Sequence, residues 1–130
     1  MLDAVRYAPV IFQEYVEAAL DLRITVVGEE VFAAEILSQQ TDYKVDMRMT
    51  MHEAEMRPHA LPGAVADGLR ALLREMGLAY GAVDMRLTPG GEYVFLEVNP
   101  AGQWLFVEER TRQPITDAMA AWMAARDGRR

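Results

Sequence analysis

Two pairs of strand-length apolar segments, each pair joined by a short turn, lie on either side of one helical segment in this chain. Over residues 21–27 apolar and polar side chains alternate, which predicts a half-buried strand. A tight turn at 28–30 leads into an apolar run at 31–37, so this pair predicts an antiparallel hairpin. Runs at 79–88 and 92–99, separated by a Pro-Gly-Gly turn, predict a second hairpin.

Helical spacing is confined to two segments. The first opens at Leu61-Pro62-Gly63 and stops at Gly77, and its apolar residues share one helix face: Val65, Leu69, Leu72, Leu73 and Met76. The second covers 114–125 and precedes a basic tail. Strands that cluster before and after a helix and are linked by hairpins predict an α+β fold, with an antiparallel β-sheet flanked by helices in a single domain.

Two further segments complete the secondary-structure prediction. Residues 10–16 are rich in β-branched and aromatic side chains, which predicts a strand almost at the start of the chain. We therefore expect other polypeptide to precede this strand in the intact protein. Residues 39–60 are polar, Met-rich and aperiodic, which predicts a long loop with one short strand around 44–49.

Composition restricts the classes of partner. With 52% hydrophobic and 25% charged residues the chain is typical of a globular domain. A net charge of −7 argues against binding to nucleic acid or to anionic membranes, and no apolar stretch is long enough to span a bilayer. The absence of cysteine excludes disulfides and thiolate metal sites and fits a cytoplasmic location.

The second hairpin carries the residues with chemical potential. If Thr88 pairs with Tyr93, Asp84 lies directly opposite Glu97, and period-two alternation puts Asn99 on the face of Glu97. Carboxylate and amide oxygens suit Mg²⁺, which usually completes its coordination with substrate phosphates. The alternative is that both acids lie on a solvated face with a cation between them, and spacing alone leaves both interpretations open.

Three motifs, in this order along the chain, resemble those of ATP-grasp enzymes. Residues 13–16 are similar to the hinge strand that contacts adenine, and residues 21–28 to the strand that follows it in the RimK-like branch of the family. Glu97-Val98-Asn99-Pro100, with Val83-Asp84 one hairpin upstream, resembles the family's magnesium-binding end. The resemblance implies the C-terminal lobe of an ATP-grasp fold, with ATP and Mg²⁺ as cofactors.

The resemblance also implies individual roles. The metal ligands would be Asp84, Glu97 and Asn99, and the adenine contacts would come from the backbone of Gln13, Glu14, Tyr15 and Val16. Asp21 would accept hydrogen bonds from the ribose hydroxyls. Arg23, on the same face, would neutralise phosphate or an acyl phosphate. Arg86 and Arg48 are weaker candidates for contacting phosphate or a substrate carboxylate, since a solvated surface position would explain either arginine.

A narrower resemblance concerns the substrate. Residues 32–36, 45–48 and 95–104 are similar to ATP-grasp ribosomal peptide maturases of the microviridin and graspetide type, with Trp104 after Gly102-Gln103 as the most specific element. These ligases join side chains of a precursor peptide through ester or amide bonds. The resemblance therefore implies an acyl-phosphate ligase whose partner is a precursor peptide or a small carboxylate.

The parts that the resemblance leads us to expect elsewhere are a small ATP-binding lobe, with lysines and a glycine-rich loop, and an N-terminal substrate domain. Lys44 is the only lysine of the chain. We therefore expect no appreciable turnover by this chain alone. Two alternatives stay open: a RimK-like amino-acid ligase, and a non-catalytic module that forms homodimers through an exposed edge strand at 10–16.

Other side chains have simpler interpretations. His52 and His59 match no zinc motif, and a surface or loop position is favoured for both. Trp104 has two open interpretations, since it either packs against the last helix or lies near substrate.

Overall fold

In the computed structural model, which describes residues 2–37 and 54–128, the strands form one antiparallel sheet with β1 at its centre. The strand order is β3-β2-β1-β4-β5. The strands are β1 (Leu20–Val27), β2 (Glu30–Ile36), β3 (Met56–Pro58), β4 (Tyr80–Leu87) and β5 (Tyr93–Asn99). The helices are a short 3-10 helix (Leu2–Arg6), α1 (Gly63–Glu75), α2 (Leu105–Thr111) and α3 (Ile115–Asp127). The predicted α+β class and both predicted hairpins are confirmed.

Helices cover both faces of the sheet. On one face Leu22, Ile24 and Val26 of β1 pack with Leu69 and Leu73 of α1. The other face carries a second core, to which β1, β2, β3, α2 and α3 contribute Val27, Ala34, Ile36, Met56, Val107 and Ile115. The half-buried strand predicted for 21–27 is therefore wrong, because every residue of that range is buried. Alternation there separates two buried layers and does not separate core from solvent.

The predicted strand at 10–16 is also wrong. Residues 9–18 have no regular secondary structure, and side chains such as Ile11, with 91% of its surface exposed, face outward. β-propensity stabilises a strand only where a neighbouring strand supplies hydrogen bonds, and none of the described strands pairs with this segment. The homodimer expectation was built on an edge strand that is not formed, and dimerisation itself stays a prediction.

Two short elements escaped the sequence prediction. β3 lies within the predicted loop and pairs with residues 34–36 of β2, but three residues are too few to show a period. α2, with seven residues, begins at Leu105 and ends before Arg112, which has a φ of 62°. The short strand predicted around 44–49 lies outside the described residues.

The two longer helices are confirmed. α1 stops just before Gly77, whose φ of 70° provides the expected left-handed end, and α3 extends two residues beyond the predicted 114–125. None of the helices in the described part of the chain is both long enough and apolar enough to cross a membrane.

The β1–β2 turn yields a stability prediction. Gly28 has a φ of 59°, and a Cβ built on it would lie 2.9 Å from Cδ1 of Trp122. We expect Gly28→Ala to lower the free energy of unfolding by about 2 kcal/mol, since the left-handed conformation and the indole ring both oppose a side chain. Urea denaturation measures the change.

Gly68→Ala is the matched control. Gly68 lies in α1, where an added Cβ would meet no atom within 4 Å, so the same substitution there is expected to stabilise the chain by roughly 0.5–1 kcal/mol. Equal effects of the two substitutions would contradict the assignment of Gly28 to a required left-handed turn.

Candidate functional site

Two buried ion pairs connect β1 to β4 at the centre of the sheet. Asp21 lies opposite Arg86, and Arg23 lies opposite Asp84. Nε of Arg86 is 2.9 Å from Oδ1 of Asp21, and Nη1 of Arg23 donates to Oδ1 of Asp84 at 2.9 Å. No residue of the four is more than 6% exposed. We call these four residues the charge ladder.

The ladder follows from the order of charges in the two strands. Period-two alternation puts an acid and then a base on one face of β1, and β4 carries an acid and then a base on the facing positions. Antiparallel pairing reverses one order against the other, so each charge meets its opposite. Removing one member of such a pair leaves an uncompensated buried charge, which typically costs about 3–5 kcal/mol.

The predicted carboxylate pair is present. Asp84 lies directly opposite Glu97, and Asn99, two residues further along β5, lies opposite Ala82. The predicted register is wrong near the turn, where Leu87 and not Thr88 pairs with Tyr93. A β-bulge between Asp84 and Met85 shifts the pairing by one residue and restores the predicted register at the acids.

The environment of Asp84 raises its pKa to about 6. The main cause is burial, which disfavours the charged form, and the hydrogen bond and charge of Glu97 act in the same direction. The positive charge and hydrogen bond of Arg23 oppose this shift and lower the pKa. Asp84 is therefore not on a solvated face, whereas Glu97 is exposed.

The donor set at this pair fits a hard divalent cation. Asp84 and Glu97 supply carboxylate oxygens that otherwise repel, and Oδ1 of Asn99 already accepts a hydrogen bond from the backbone N of Ala101 at 2.9 Å. No cluster of three His, Cys, Asp or Glu side chains suited to a metal occurs in residues 2–37 and 54–128. A cation held here would take its remaining ligands from water or from a bound phosphate, as Mg²⁺ commonly does.

The loop that follows β5 is fixed onto the sheet by two hydrogen bonds that the sequence did not predict, one of them from Tyr80, which was not a candidate site residue. Oη of Tyr80 donates to the carbonyl of Gly102 at 2.5 Å, and Nη2 of Arg23 donates to the carbonyl of Gln103 at 3.1 Å. A Cβ on Gly102 would collide with Cβ of Ala82. The glycine is therefore required for the close approach of this loop to β4. The one available signal was the Gly102-Gln103-Trp104 motif.

The structure brings only part of the predicted nucleotide-binding set together. Nη1 of Arg86 donates to the carbonyl of Val16 at 2.5 Å, and its guanidinium lies 5.4 Å from the centroid of the Tyr15 ring. The end of the predicted adenine-binding segment thus adjoins the charge ladder. Gln13 and Glu14 are exposed. Arg48 and His52 lie outside the described residues.

Asp21 and Arg23 are more enclosed than the predicted ribose and phosphate roles suggest. Asp21 has no exposed surface and faces Arg86, so a ribose contact would require a neighbouring group to move. Arg23 divides its two Nη atoms between Asp84 and Gln103, while its buried Nε has no hydrogen-bond partner among the described residues. One donor of Arg23 is thus unsatisfied among the described residues, and a contact from this buried atom to a ligand would require a neighbouring group to move.

His59 lies in the loop after β3, as one of its two favoured interpretations predicted, but it is not on the surface. Its side chain is only 11% exposed, with Nδ1 2.9 Å from Oε2 of Glu35 and Nε2 2.9 Å from Oη of Tyr93. This bridge joins β2 to β5. Trp104 is partly buried in the core shared with α2 and α3, which agrees with the packing alternative.

Comparison with solved structures defines the class of fold. A Chryseobacterium gregarium RiPP-associated ATP-grasp ligase, in complex with ADP and a leader and core peptide, superposes with a TM-score of 0.84 at 34% identity. The macrocyclase MdnC of Microcystis aeruginosa MRC, bound with precursor peptide MdnA, gives 0.77 at 40% identity, and MdnB of the same organism 0.70 at 34%. The fold is that of a lobe of the ATP-grasp ligases.

The extent of these matches is uneven. They cover 92–96% of this chain, whereas the chain spans only 38–44% of the three solved ligases, about two fifths of their length. The chain has the fold of a lobe of the ATP-grasp ligases and is similar to their peptide-modifying members.

Sequence comparison adds one relative of a different name. A UPF0102 protein of Halorhodospira halophila is 34% identical over 90 residues, which cover 64% of this chain and 72% of that protein. Over those residues the chain also belongs with the UPF0102 proteins, whose name states no activity. No family model matches the chain. The structural likeness covers more of the chain and carries the functional argument.

The contact of Gly102 with β4 gives a prediction with a built-in rescue. We expect Gly102→Ala to lower the free energy of unfolding by about 1–3 kcal/mol, because the new methyl group overlaps Cβ of Ala82. The double variant Gly102→Ala, Ala82→Gly removes that overlap and is expected to regain at least half of the loss. Urea denaturation of the wild type, the two single variants and the double variant gives the coupling energy between positions 82 and 102. A coupling energy near zero would show that the loop is not held against β4.

The pKa of Asp84 predicts an unusual pH dependence. Because the folded chain raises this pKa from 3.8 to about 6, Asp84 favours the folded state fully below about pH 4 and loses that contribution as the pH rises through 6. The loss is on the order of 2–3 kcal/mol. In metal-free buffer, the free energy of unfolding of the wild type relative to Asp84→Asn is expected to fall between pH 4 and 7. Parallel curves for the two proteins would refute the raised pKa.

Proposed function

We propose that this chain supplies the magnesium- and nucleotide-binding part of an ATP-dependent carboxylate–amine or carboxylate–hydroxyl ligase that acts on a peptide. The observation that carries the proposal is the directly opposed Asp84–Glu97 pair, with Arg23 behind it, in a lobe that matches ATP-grasp peptide ligases over nearly its whole length. A peptide is favoured over a free amino acid because two of the similar ligases are bound to leader, core or precursor peptides.

In the proposed reaction the γ-phosphoryl group of ATP passes to a substrate carboxylate, which gives an acyl phosphate and ADP. An amine or hydroxyl of the peptide then attacks the acyl carbon, loses its proton, and displaces phosphate. The product is a side-chain amide or ester crosslink. Dependence on ATP is consistent with a cytoplasmic reaction.

The residues of this chain would act mainly by positioning. Asp84, Glu97 and Asn99 would hold Mg²⁺, which offsets negative charge on the phosphates when it is bound. Arg23 keeps the Asp84 carboxylate in place through Nη1, and its fixed positive charge would help to offset the negative charge of a phosphate bound beside the pair. Arg86 ties Val16 to β4 and would thereby fix the distance between the adenine-binding segment and the metal.

The balance of charges favours MgATP over free ATP. The charge ladder is neutral as a set, because its two acids face its two arginines, and Glu97 adds one negative charge beside it. A polyphosphate without metal would therefore meet net repulsion, and a divalent cation between the acids and the phosphates reverses the sign of that interaction. Nucleotide affinity is accordingly expected to depend on magnesium.

The proposal predicts weak, metal-dependent binding to this chain. Isothermal titration with MgADP and MgATP is expected to give dissociation constants near the millimolar range, with no detectable binding of metal-free ATP and no appreciable turnover. Glu97→Gln is the preferred variant because Glu97 is exposed and its replacement leaves the charge ladder intact. Losing one metal ligand is expected to weaken MgADP binding at least tenfold.

Glu92→Gln is the control for this titration, because it removes an exposed acid from the β4–β5 turn without touching the acid pair. Its MgADP affinity is expected to equal that of the wild type. Tight binding of ATP without magnesium, or the same affinity in Glu97→Gln, would remove the metal assignment and leave only the fold.

A further inference from the structure

A groove of about 550 Å³ lies between the β1–β2 turn and α3, away from the acid pair. Its apolar lining includes Phe32, Ala118 and Trp122, and its acidic lining consists of Glu29, Glu30 and Asp117. We call it the acidic groove. Trp122 is held there from two sides: its indole abuts Gly28, and Cζ of Arg126 stacks 4.1 Å from the ring centroid.

The charges of the acidic groove are only partly compensated. Glu29 pairs with Arg74 at 3.3 Å and lies 4.0 Å from Arg70. Glu30 and Asp117 are exposed, and neither forms an ion pair with a described residue. Apolar surface beside two uncompensated acids is complementary to a peptide in which arginine or lysine adjoins a large apolar side chain.

The exposure of α3 shows that the same region has unsatisfied apolar surface. Alanine, methionine and tryptophan occur around the whole helix, yet among its described residues only Ile115 is buried, and Met123 is 57% exposed. A helix that is apolar on all sides is normally covered. The groove along α3 is thus suited to an occupant that brings its own apolar side chains.

The geometry relates the groove to the proposed reaction site. Val27 lines the groove and lies four residues along β1 from Arg23, on the same face of the strand. At about 3.3 Å per residue the separation is roughly 13 Å. Glu97 lies two strands across the sheet from Arg23, which adds about 10 Å in the perpendicular direction. The straight-line distance from Val27 to Glu97 is thus roughly 16 Å, which an extended peptide spans with about five residues.

From these observations we propose that the acidic groove is an anchoring site for a basic and apolar stretch of the peptide substrate. The proposal rests on the proposed function for the identity of its occupant. Glu30, Asp117, Phe32 and Trp122 would recognise this stretch of the peptide. A short extended segment of the same peptide would connect it to the side chains that react.

The test uses a short capped peptide in which two arginines alternate with a leucine and a phenylalanine. Titrated into the ¹⁵N-labelled chain, it is expected to shift the Trp122 indole and the Phe32 and Ala118 amides saturably, with a dissociation constant of roughly 0.1–1 mM. Glu30→Gln, Asp117→Asn is expected to weaken binding about tenfold. Glu75→Gln, Glu92→Gln, which removes two exposed acids elsewhere, is expected to leave it unchanged.

Several outcomes would overturn the proposal. One is that a peptide with glutamates in place of the arginines binds with the same affinity. Another is that the chemical-shift changes are confined to residues around Asp84. A third is that the groove variant, Glu30→Gln, Asp117→Asn, binds the peptide as tightly as the wild type does. Shifts of the groove residues on raising the protein concentration without peptide would identify a second copy as the occupant and also overturn it. MgADP titration of the groove variant keeps the two hypotheses apart, since a failed groove leaves MgADP binding intact and a failed nucleotide site leaves peptide binding measurable.

Discussion

The β1–β4 pairing at the centre of the sheet depends on two ion pairs that are removed from solvent. Asp21 with Arg86 and Arg23 with Asp84 are compensated in only one register, because a slip of one residue would move each charge to the opposite, apolar face. Buried charges are costly when unpaired and contribute little net stability when paired. Their effect is therefore to exclude alternative registers.

The same four residues fix the surroundings of the site. Arg86 holds the Val16 carbonyl, Arg23 holds the Gln103 carbonyl, and Asp84 faces Glu97 on the neighbouring strand. Three segments that are distant in sequence are thereby tied to one pair of strands. The raised pKa of Asp84 follows from this arrangement, since the charge of Arg23 only partly offsets burial and a second carboxylate.

Sequence patterns predicted the hairpins, α1, α3 and the opposition of Asp84 and Glu97, because each rests on local periodicity and turn chemistry. They failed for 10–16, with which none of the described strands pairs, and for the short β3 and α2, which contain too few residues to show a period. They also predicted that β1 is half-buried, whereas both of its faces are buried. Alternation distinguishes the two faces of a strand but does not indicate whether the second face is covered. Among the charged residues, alternation placed Asp21, Arg23 and Arg86 on a face, but the partner of each depends on the β1–β4 register, which no local signal gives.

Burial of the second face has a consequence for how this lobe would bind ligands. A half-solvated sheet would present Asp21, Arg23 and Asp84 to a nucleotide over a broad surface, whereas here Glu97, Asn99 and the loop around Gly102 form the accessible rim of that face. The buried charges act through this rim: Arg23 supports both the acid and the loop, so any ligand at the rim meets groups whose positions are already set. Preorganised groups of this kind lose little conformational entropy on binding. A low entropic cost matters at a site dominated by charge, because a strongly hydrated ligand such as a metal–polyphosphate complex is already costly to desolvate.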